Sequence, residues 1–256
     1  MKVAALQSLR NKLKNNQPVF GLWVTLESAT ITEIAVHCKL DWVVIDAEHG
    51  HLDWHDLLEH IRAAVRSSTV VLVRISNIDE GLIKRVLDIG ADGIVIPHIE
   101  TVEELEKALL FARYPKAGIR GIGAERATLW GTQFAEHVND AERNLMVIPI
   151  IESVKGGQHI DELVKVPGVD IFFFGPADYS ASAGYAGEWE GPGVAEEINK
   201  VKEKIIAAGK TCGVMTRSKD ELKARYAQGF RMMALGSDTG LLIKNIKSAF
   251  LNDNEY

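Results

Sequence analysis

The chain has 256 residues, 46% hydrophobic and 25% charged, a composition typical of a soluble globular protein with a substantial core. Its formal net charge of −6 argues against a nucleic-acid-binding function, because proteins that bind phosphate backbones are normally basic. No run approaches the roughly 20 apolar residues that span a bilayer, and the first residues lack the apolar centre of a signal peptide. The two cysteines form no metal-binding spacing. We therefore expect a cytoplasmic protein that binds neither nucleic acid nor membranes.

Short apolar runs rich in β-branched residues recur along the chain and alternate with amphipathic stretches. The runs cover residues 19–26, 42–47, 70–75, 93–99, 145–151, 171–175, 212–216 and 232–237. Because they are nearly continuous in apolar character, they predict strands that are covered on both faces, as in parallel sheets.

Amphipathic helices are predicted between these strands. Residues 78–90 place apolar side chains at helical intervals and end at Gly90, a typical C-terminal stop. Residues 101–115 and 218–230 each begin with a Ser or Thr followed three residues later by Glu, a capping-box pattern. Strand–helix alternation repeated in this way predicts a closed (β/α)8 barrel, or TIM barrel, formed by residues 1–256 as one domain. A doubly wound open sheet is the structural alternative.

Three segments do not fit the regular alternation of strand and helix. Residues 116–143 are an overlong connection, which we expect to form a loop and short helix over the barrel mouth. Residues 182–193 are rich in glycine, and long loops of this kind are more often functional than accidental. The final helix, residues 241–251, carries more apolar side chains than a barrel needs, and we expect it to pack on a neighbouring subunit.

In a (β/α)8 barrel the active site lies at the carboxyl ends of the strands. The polar residues that follow the predicted strands are therefore the candidates for function. They are Glu27, Glu48, His49, Arg74, His98, Glu152, Asp178, Thr216, Ser237 and Asp238.

Glu152 and Asp178 each follow a strongly apolar strand. Two carboxylates leave most positions of an octahedral Mg²⁺ or Mn²⁺ ion open for water and substrate, so the pair predicts a metal site. The structural alternative is a helix N-cap for Asp178 and an ion-pair partner for Glu152. Zinc binding is disfavoured, because the chain has no His-x-x-x-His pair and no cysteine cluster.

Arg74 ends an apolar strand, where a guanidinium is costly without an anion, so it is predicted to bind a carboxylate or enolate oxygen. The alternative is an ion pair with Asp46 or Glu48. Asp46 and His49 are close enough in sequence to form a dyad in which the carboxylate orients the imidazole. The histidines that follow are expected at the surface: His51, His55 and His60.

The segment GPADYS, residues 175–180, places Gly175 and Pro176 before Asp178 at a predicted strand-to-helix turn. Backbone N–H groups at such a turn can receive an anion. No lysine lies at the carboxyl end of a predicted strand, so a Schiff-base mechanism is disfavoured.

Taken together, these segments resemble one known family. The resemblance rests on GLW (21–23), DWVVIDAEHG (41–50), VLVRI (71–75), VLDIGADGIVIP (86–97), RYPKAGIRGIG (113–123), IES (151–153), GPADYSASAGY (175–185) and GSDTGLL (236–242). In this order they are similar to the HpcH/HpaI aldolases, metal-dependent class II enzymes that cleave 4-hydroxy-2-oxo acids to pyruvate and an aldehyde. The resemblance implies a divalent cation (Mg²⁺, Mn²⁺ or Co²⁺) and a hexamer, a trimer of dimers, in which the C-terminal helix is exchanged between subunits.

The resemblance also implies roles for individual residues. Glu152 and Asp178 would bind the metal, Arg74 would hold the 2-oxo group and stabilise the enolate, and His49 would be the base with Asp46 as its partner. Further substrate contacts are expected at Gly175, Pro176, Ala177, Trp23, His98 and Met215.

Three positions depart from the family pattern. Ile150 occupies a position where aldolases of the family commonly have Gln, and residues 186–193 differ from the usual loop. His98 resembles a histidine of macrophomate synthase, a relative that decarboxylates oxaloacetate to the same enolate. An oxaloacetate decarboxylase is therefore the nearest alternative function. More distant alternatives are a citrate-lyase-like thioester enzyme, for which no basic cluster is evident, and a catalytically inactive metabolite-binding barrel.

Overall fold

The computed structural model describes residues 1–251, with side chains through Ala249. Parallel strands close into a barrel in sequence order, and β1 pairs with both β2 and β8. The strands are β1 (Val19–Val24), β2 (Trp42–Asp46), β3 (Val70–Arg74), β4 (Gly93–Ile96), β5 (Met146–Ile151), β6 (Ile171–Phe174), β7 (Thr211–Met215) and β8 (Met232–Ser237). The predicted (β/α)8 barrel is confirmed, and the open-sheet alternative is excluded because β1 and β8 pair.

Helices surround the barrel, and one more helix lies beneath it. They are α1 (Val3–Lys14), α2 (Thr30–His37), α3 (Trp54–Ala63), α4 (Glu80–Asp88), α5 (Val102–Ala112), α6 (Phe134–Asn144), α7 (Val154–Gln158), α8 (Ile160–Leu163), α9 (Pro176–Ser182), α10 (Val194–Ala207), α11 (Lys219–Ala227) and α12 (Asp238–Leu251). The capping box predicted at Thr101 and Glu104 is formed, and Ser218 caps α11. Among the residues described, no helix has the length and apolar character needed to cross a membrane.

Alternate residues of each strand point into the barrel, because successive side chains of a strand face opposite sides. The interior is filled by apolar side chains that include Trp42, Ile148 and Phe173, and Leu6 and Leu9 of α1 close it from below. The other strand residues pack against the surrounding helices. This arrangement leaves the carboxyl ends of the strands as the open face of the barrel.

Gly21 makes room for the largest side chain of the interior. A Cβ atom on Gly21 would lie 2.1 Å from the indole ring of Trp42, which is fully buried. A larger residue at this position would therefore displace Trp42 from the barrel axis.

Residues 116–143 were expected over the barrel mouth, and that expectation is wrong. They lead from the end of α5 to the start of β5, so they lie on the face opposite the active site. Arg126 donates to the Ile89 carbonyl beyond α4 (3.0 Å), and Arg10 of α1 donates to the Asn144 carbonyl (2.8 Å). The segment is long because it surrounds the first residues of the chain beneath the barrel.

His60 was expected at the surface, but it is fully buried. It lies on the inward face of α3, between Leu57 and Ile61. Both ring nitrogens have partners: Nδ1 is 2.8 Å from the Thr32 hydroxyl, and Nε2 is 3.1 Å from the Leu26 carbonyl. These two bonds allow an imidazole to occupy a core position, whereas His51 and His55 are exposed as predicted.

Candidate active site

Arg74 is held by two carboxylates at the mouth of the barrel. It lies opposite Asp46 in the β2–β3 register, and its Nε donates to Asp46 Oδ1 at 2.9 Å while a terminal nitrogen donates to Oδ2. The other terminal nitrogen lies 2.9 Å from Glu48 Oε2. Burial by itself would lower the pKa of the guanidinium, but the hydrogen bonds and charge of Asp46 outweigh it and the pKa is raised. Arg74 is therefore a fixed positive charge.

Asp46 is the centre of this arrangement. Besides binding Arg74, it accepts hydrogen bonds from Trp23 Nε1 (3.1 Å) and from the backbone N–H groups of Glu48 (3.0 Å) and His49 (3.2 Å). Burial favours a higher pKa for this carboxyl, but the bonds from Arg74 and the backbone outweigh it and lower the pKa. The carboxylate is thus ionised and fully occupied.

The Asp46–His49 dyad expected from the sequence is not formed by the two side chains. The acceptor positions of Asp46 are taken by Arg74, Trp23 and backbone groups. The imidazole of His49 is 67% exposed, and its Nε2 lies 3.9 Å from Glu48 Oε2. Arg74 instead pairs with both Asp46 and Glu48, as the alternative predicted. The His49 ring at the mouth is therefore not bound to Asp46.

Glu152 and Asp178 come together around Gly175. A Cβ atom on Gly175 would lie 2.7 Å from Glu152 Oε2 and 3.6 Å from Asp178 Oδ2, so both carboxylates face the same small space. Glu152 is buried, and its Oε1 accepts a hydrogen bond from the His98 backbone N–H at 2.7 Å. Burial, with the nearby charge of Asp178, raises the pKa of Glu152 to about 7. A positive charge between the two carboxylates would therefore favour the ionised form of Glu152.

Asp178 does not act as a helix cap. Pro176 is the first residue of α9 and Gly175 precedes it, and no side chain caps this helix. Asp178 is exposed, and among the side chains described, through Ala249, its carboxylate has no hydrogen bond or ion pair. The structural alternative that treated it as an N-cap is therefore wrong, and its carboxylate is available to a ligand.

The donor set fits a hard divalent cation. Arg74, the nearby buried cation, is already engaged by Asp46 and Glu48, and the exposed His98 ring lies 3.7 Å from Glu152 Oε1. In the described part of the chain, no group of three or more His, Cys, Asp and Glu side chains could hold a metal ion. The protein would thus supply two carboxylates and leave the remaining positions to water and substrate, a pattern typical of Mg²⁺.

The other side chains predicted to contact substrate are Trp23, Met215 and His98. Trp23 faces the barrel interior, where its ring centroid is 5.4 Å from that of Phe173, and Met215 packs against the same interior cluster. Ile150 is buried in that cluster too, so the upper interior is largely apolar. The His98 side chain is 62% exposed, with Nδ1 3.7 Å from Glu152 Oε1.

Trp23 and Asp238 were both candidates in the sequence, but the roles that the structure gives them were not recognised. Trp23 holds Asp46 through its indole N–H, and the Arg74 guanidinium carbon lies 5.1 Å from the centre of its ring. Asp238 holds the residues that follow β1. The available signals were a tryptophan near the end of a strand and an acid directly after β8. Thr216 was also a candidate, but its buried hydroxyl donates a hydrogen bond to the Ala234 carbonyl at 2.7 Å.

Comparisons with known proteins identify the family of the chain. Residues 19–245 match the family model described as HpcH/HpaI aldolase/citrate lyase. The chain is 36% identical over 240 residues to a hydroxypyruvate/pyruvate aldolase of Paraburkholderia phytofirmans, covering 93% of this chain and 89% of that protein. An HpcH/HpaI aldolase/citrate lyase family protein from Burkholderia cenocepacia superposes with a TM-score of 0.90 at 30% identity, covering 94% and 97% of the two chains. Macrophomate synthase superposes with a TM-score of 0.80 at 28% identity, covering 97% and 88%.

Proposed function

The chain belongs to the HpcH/HpaI aldolase/citrate lyase family and is a carbon–carbon lyase, and on that premise we propose that it reversibly cleaves a 4-hydroxy-2-oxo acid to pyruvate and an aldehyde. The observation that carries the proposal is the pair of carboxylates, Glu152 and Asp178, which face one small space near a preorganised Arg74. A relative with 36% identity is named for an aldolase reaction of pyruvate, which supports the same substrate class.

Glu152 and Asp178 would hold the divalent cation, Mg²⁺, Mn²⁺ or Co²⁺. When bound, such an ion supplies Lewis-acid polarisation of the ketone of a 2-oxo acid. The backbone at Gly175, Pro176 and Ala177 immediately precedes Asp178, and Gly175 packs against Glu152. We propose that this backbone receives the carboxylate of the substrate.

Arg74 stabilises the charge that cleavage creates. Removal of the proton from the 4-hydroxyl breaks the C3–C4 bond, releases the aldehyde and moves an electron pair toward the ketone oxygen, which becomes an enolate oxygen. Arg74 is buried, charged and fixed by Asp46 and Glu48, so it can stabilise this oxygen without reorganising. Trp23 restricts it from the side of the barrel axis.

His49 is proposed to move the protons. Its ring is exposed at the mouth and, without a bond to Asp46, can turn toward the 4-hydroxyl group to take its proton. The same ring then returns a proton to C3 of the enolate, which gives pyruvate. The aldehyde portion would lie toward Met215 and Trp23, at the apolar upper end of the interior.

The proposal is tested by NMR of pyruvate C3 protons in D₂O. We expect exchange in the presence of added Mg²⁺, Mn²⁺ or Co²⁺ and its loss when EDTA is added. Pyruvate release from a panel of 4-hydroxy-2-oxo acids then identifies the aldehyde. Exchange that persists after complete chelation contradicts the metal-dependent mechanism. No exchange and no turnover with any of the three metals favours an inactive metabolite-binding barrel.

Decarboxylation of oxaloacetate is a second candidate, because it produces the same enolate. It is favoured by His98, whose exposed imidazole lies beside Glu152, and by the similarity to macrophomate synthase. A His98→Ala variant that loses decarboxylation but keeps aldol cleavage would support this activity. Equal loss of both activities would instead assign His98 to the shared site.

We further propose that the protein assembles as a hexamer, a trimer of dimers, through its C-terminal helix. Leu242, Ile243 and Ile246 of α12 are each about half exposed within one subunit. Exposed apolar side chains grouped on one helix are typical of a subunit interface. Light scattering of the purified protein measures the assembly, and a monomer would contradict the proposal.

A further inference from the structure

The loop that follows β1 is held by a carboxylate from the far end of the chain. Asp238 is the first residue of α12 and is buried. It accepts hydrogen bonds from the backbone N–H of Thr25 (3.0 Å to Oδ2), from the Thr25 hydroxyl (2.8 Å) and from the Leu26 N–H (2.9 Å). One side chain therefore satisfies three donors at the point where the chain leaves the barrel.

The loop after β1 is also held from its other side, by His60. The Leu26 carbonyl is 3.1 Å from Nε2 of His60, and Nδ1 of that ring is 2.8 Å from the Thr32 hydroxyl. His60 is fully buried on α3, and burial is the main reason that its pKa is lowered. The neutral ring can donate from Nε2 to the Leu26 carbonyl while Nδ1 accepts from Thr32. Leu26 is thus fixed between α12 and α3.

The residues held by Asp238 and His60 lie next to the side chains that orient Arg74. The β1–β8 register shifts between Gly21 and Trp23, so Trp23 pairs with Ser237, the residue before Asp238. Trp23 in turn donates its indole N–H to Asp46 at 3.1 Å, and Asp46 binds Arg74. A continuous set of contacts therefore leads from the start of α12 through the end of β1 to the guanidinium.

We propose that Asp238 is a positioning residue for the lyase reaction. By holding Thr25 and Leu26 it fixes the end of β1, and the end of β1 fixes the Trp23 indole that aligns Asp46 and Arg74. Asp238 does not touch substrate; it acts through Trp23. This inference rests on the proposed function, because its main consequence is read in turnover.

The first test compares two buried carboxylates at opposite faces of the barrel. Asp92 is a matched control, since it also accepts two backbone N–H groups, those of Val71 (2.9 Å) and Lys2 (2.6 Å), but lies beneath the barrel. Asp238→Ala and Asp92→Ala should both lower the thermal midpoint. Only Asp238→Ala should lower kcat, by about 10- to 100-fold, because small misplacements of catalytic groups cost rate on this scale. Equal kcat values for the two variants would overturn the proposal.

The second test asks whether Asp238 acts through Trp23. Trp23→Phe removes the indole N–H, and the double variant Asp238→Ala with Trp23→Phe should be no slower than the slower single variant. Multiplicative losses would mean that the two residues act independently, which would contradict the proposal. Asp238→Asn keeps one acceptor oxygen and should retain an intermediate kcat, so it serves if Asp238→Ala does not fold.

An activity-independent readout separates this inference from the proposed function. Amide hydrogen exchange of Thr25 and Leu26 in the full-length protein should accelerate in Asp238→Ala and stay unchanged in Asp92→Ala. Absence of lyase activity in the wild-type protein would contradict the proposed function. If the wild-type protein is active but amide exchange at Thr25 and Leu26 is unchanged in Asp238→Ala, only the positioning role of Asp238 is contradicted.

Discussion

Arg74 and Asp46 lie directly opposite each other on neighbouring strands, and the guanidinium donates to both oxygens of the carboxylate. A paired arginine of this kind is oriented before substrate arrives, so its electrostatic effect needs no reorganisation during the reaction. Asp46 and Glu48 are the carboxylates that Arg74 contacts directly, whereas Glu152 acts on it only through its charge. In the proposed reaction, one salt bridge therefore orients the group that would stabilise the enolate.

Replacing Arg74 with lysine should abolish most pyruvate proton exchange. A lysine ammonium cannot bind both Asp46 oxygens and Glu48 in the planar geometry of a guanidinium, and loss of one such stabilising donor costs about 10²- to 10³-fold in rate. NMR in D₂O measures the exchange rate. Arg10→Lys is the control, because Arg10 donates to the Asn144 and Leu145 carbonyls beneath the barrel. Unchanged exchange in Arg74→Lys would remove Arg74 from its proposed role.

Glu152→Gln and Asp178→Asn should each weaken Mn²⁺ binding by on the order of tenfold or more, because affinity depends on the number of charged ligands. The binding constant can be measured by electron paramagnetic resonance of free Mn²⁺. Asp92→Asn is a suitable control, since Asp92 precedes β4 and lies beneath the barrel, on the face opposite these carboxylates. Wild-type affinity in either variant would show that the altered carboxylate is not a ligand.

Gly175→Ala tests the same site through shape alone. The added methyl group would approach Glu152 Oε2 to 2.7 Å and must push the carboxylate aside. We expect weaker Mn²⁺ binding and lower turnover with a normal circular dichroism spectrum. In Gly121→Ala the nearest atom would be the Lys84 Cδ at 3.4 Å, so that variant should behave as wild type. Full activity of Gly175→Ala would show that the carboxylates tolerate displacement.

His137 should make the fold sensitive to acid. Burial, then the positive charges of the N-terminal amine and Arg120, lowers its pKa to about 4. A histidine with a depressed pKa contributes stability that is complete above its unfolded value of about 6.5 and is lost as the pH falls toward 4. Lowering the pH from 7.5 to 4.5 should decrease the free energy of unfolding, measured with urea in the presence of EDTA. The decrease should be about 2 kcal/mol smaller in His137→Gln than in the wild-type protein. Equal decreases in both proteins would contradict this assignment.

The strands and the mouth residues were predictable because they depend on local patterns and a general rule of barrel folds. The apolar runs predicted the bounds of every strand to within a few residues. The rule that active sites lie at the carboxyl ends of barrel strands identified Arg74, Glu152 and Asp178 as candidates. The partner of Asp46 was not predictable in the same way. His49 is its neighbour in sequence, but Arg74 faces it across the sheet, and only strand register decides between them.

The wrong expectations for His60 and for residues 116–143 have related physical causes. Polarity predicted an exposed His60, but partners from α2 and the β1–α2 loop satisfy both ring nitrogens inside the core. The length of residues 116–143 suggested a lid, whereas chain direction requires a segment between a helix and the next strand to run beneath the barrel. In both cases the deciding information lies in contacts between residues far apart in sequence.

The pairing of β1 with β8 has a consequence for biosynthesis. Thr25 is translated 213 residues before its partner Asp238, and Trp23 is likewise made long before Ser237. Until that later part of the chain has been synthesised, β1 lacks its neighbour β8 and the loop after β1 lacks the carboxylate that holds it. A chain interrupted before β8 therefore cannot close the barrel.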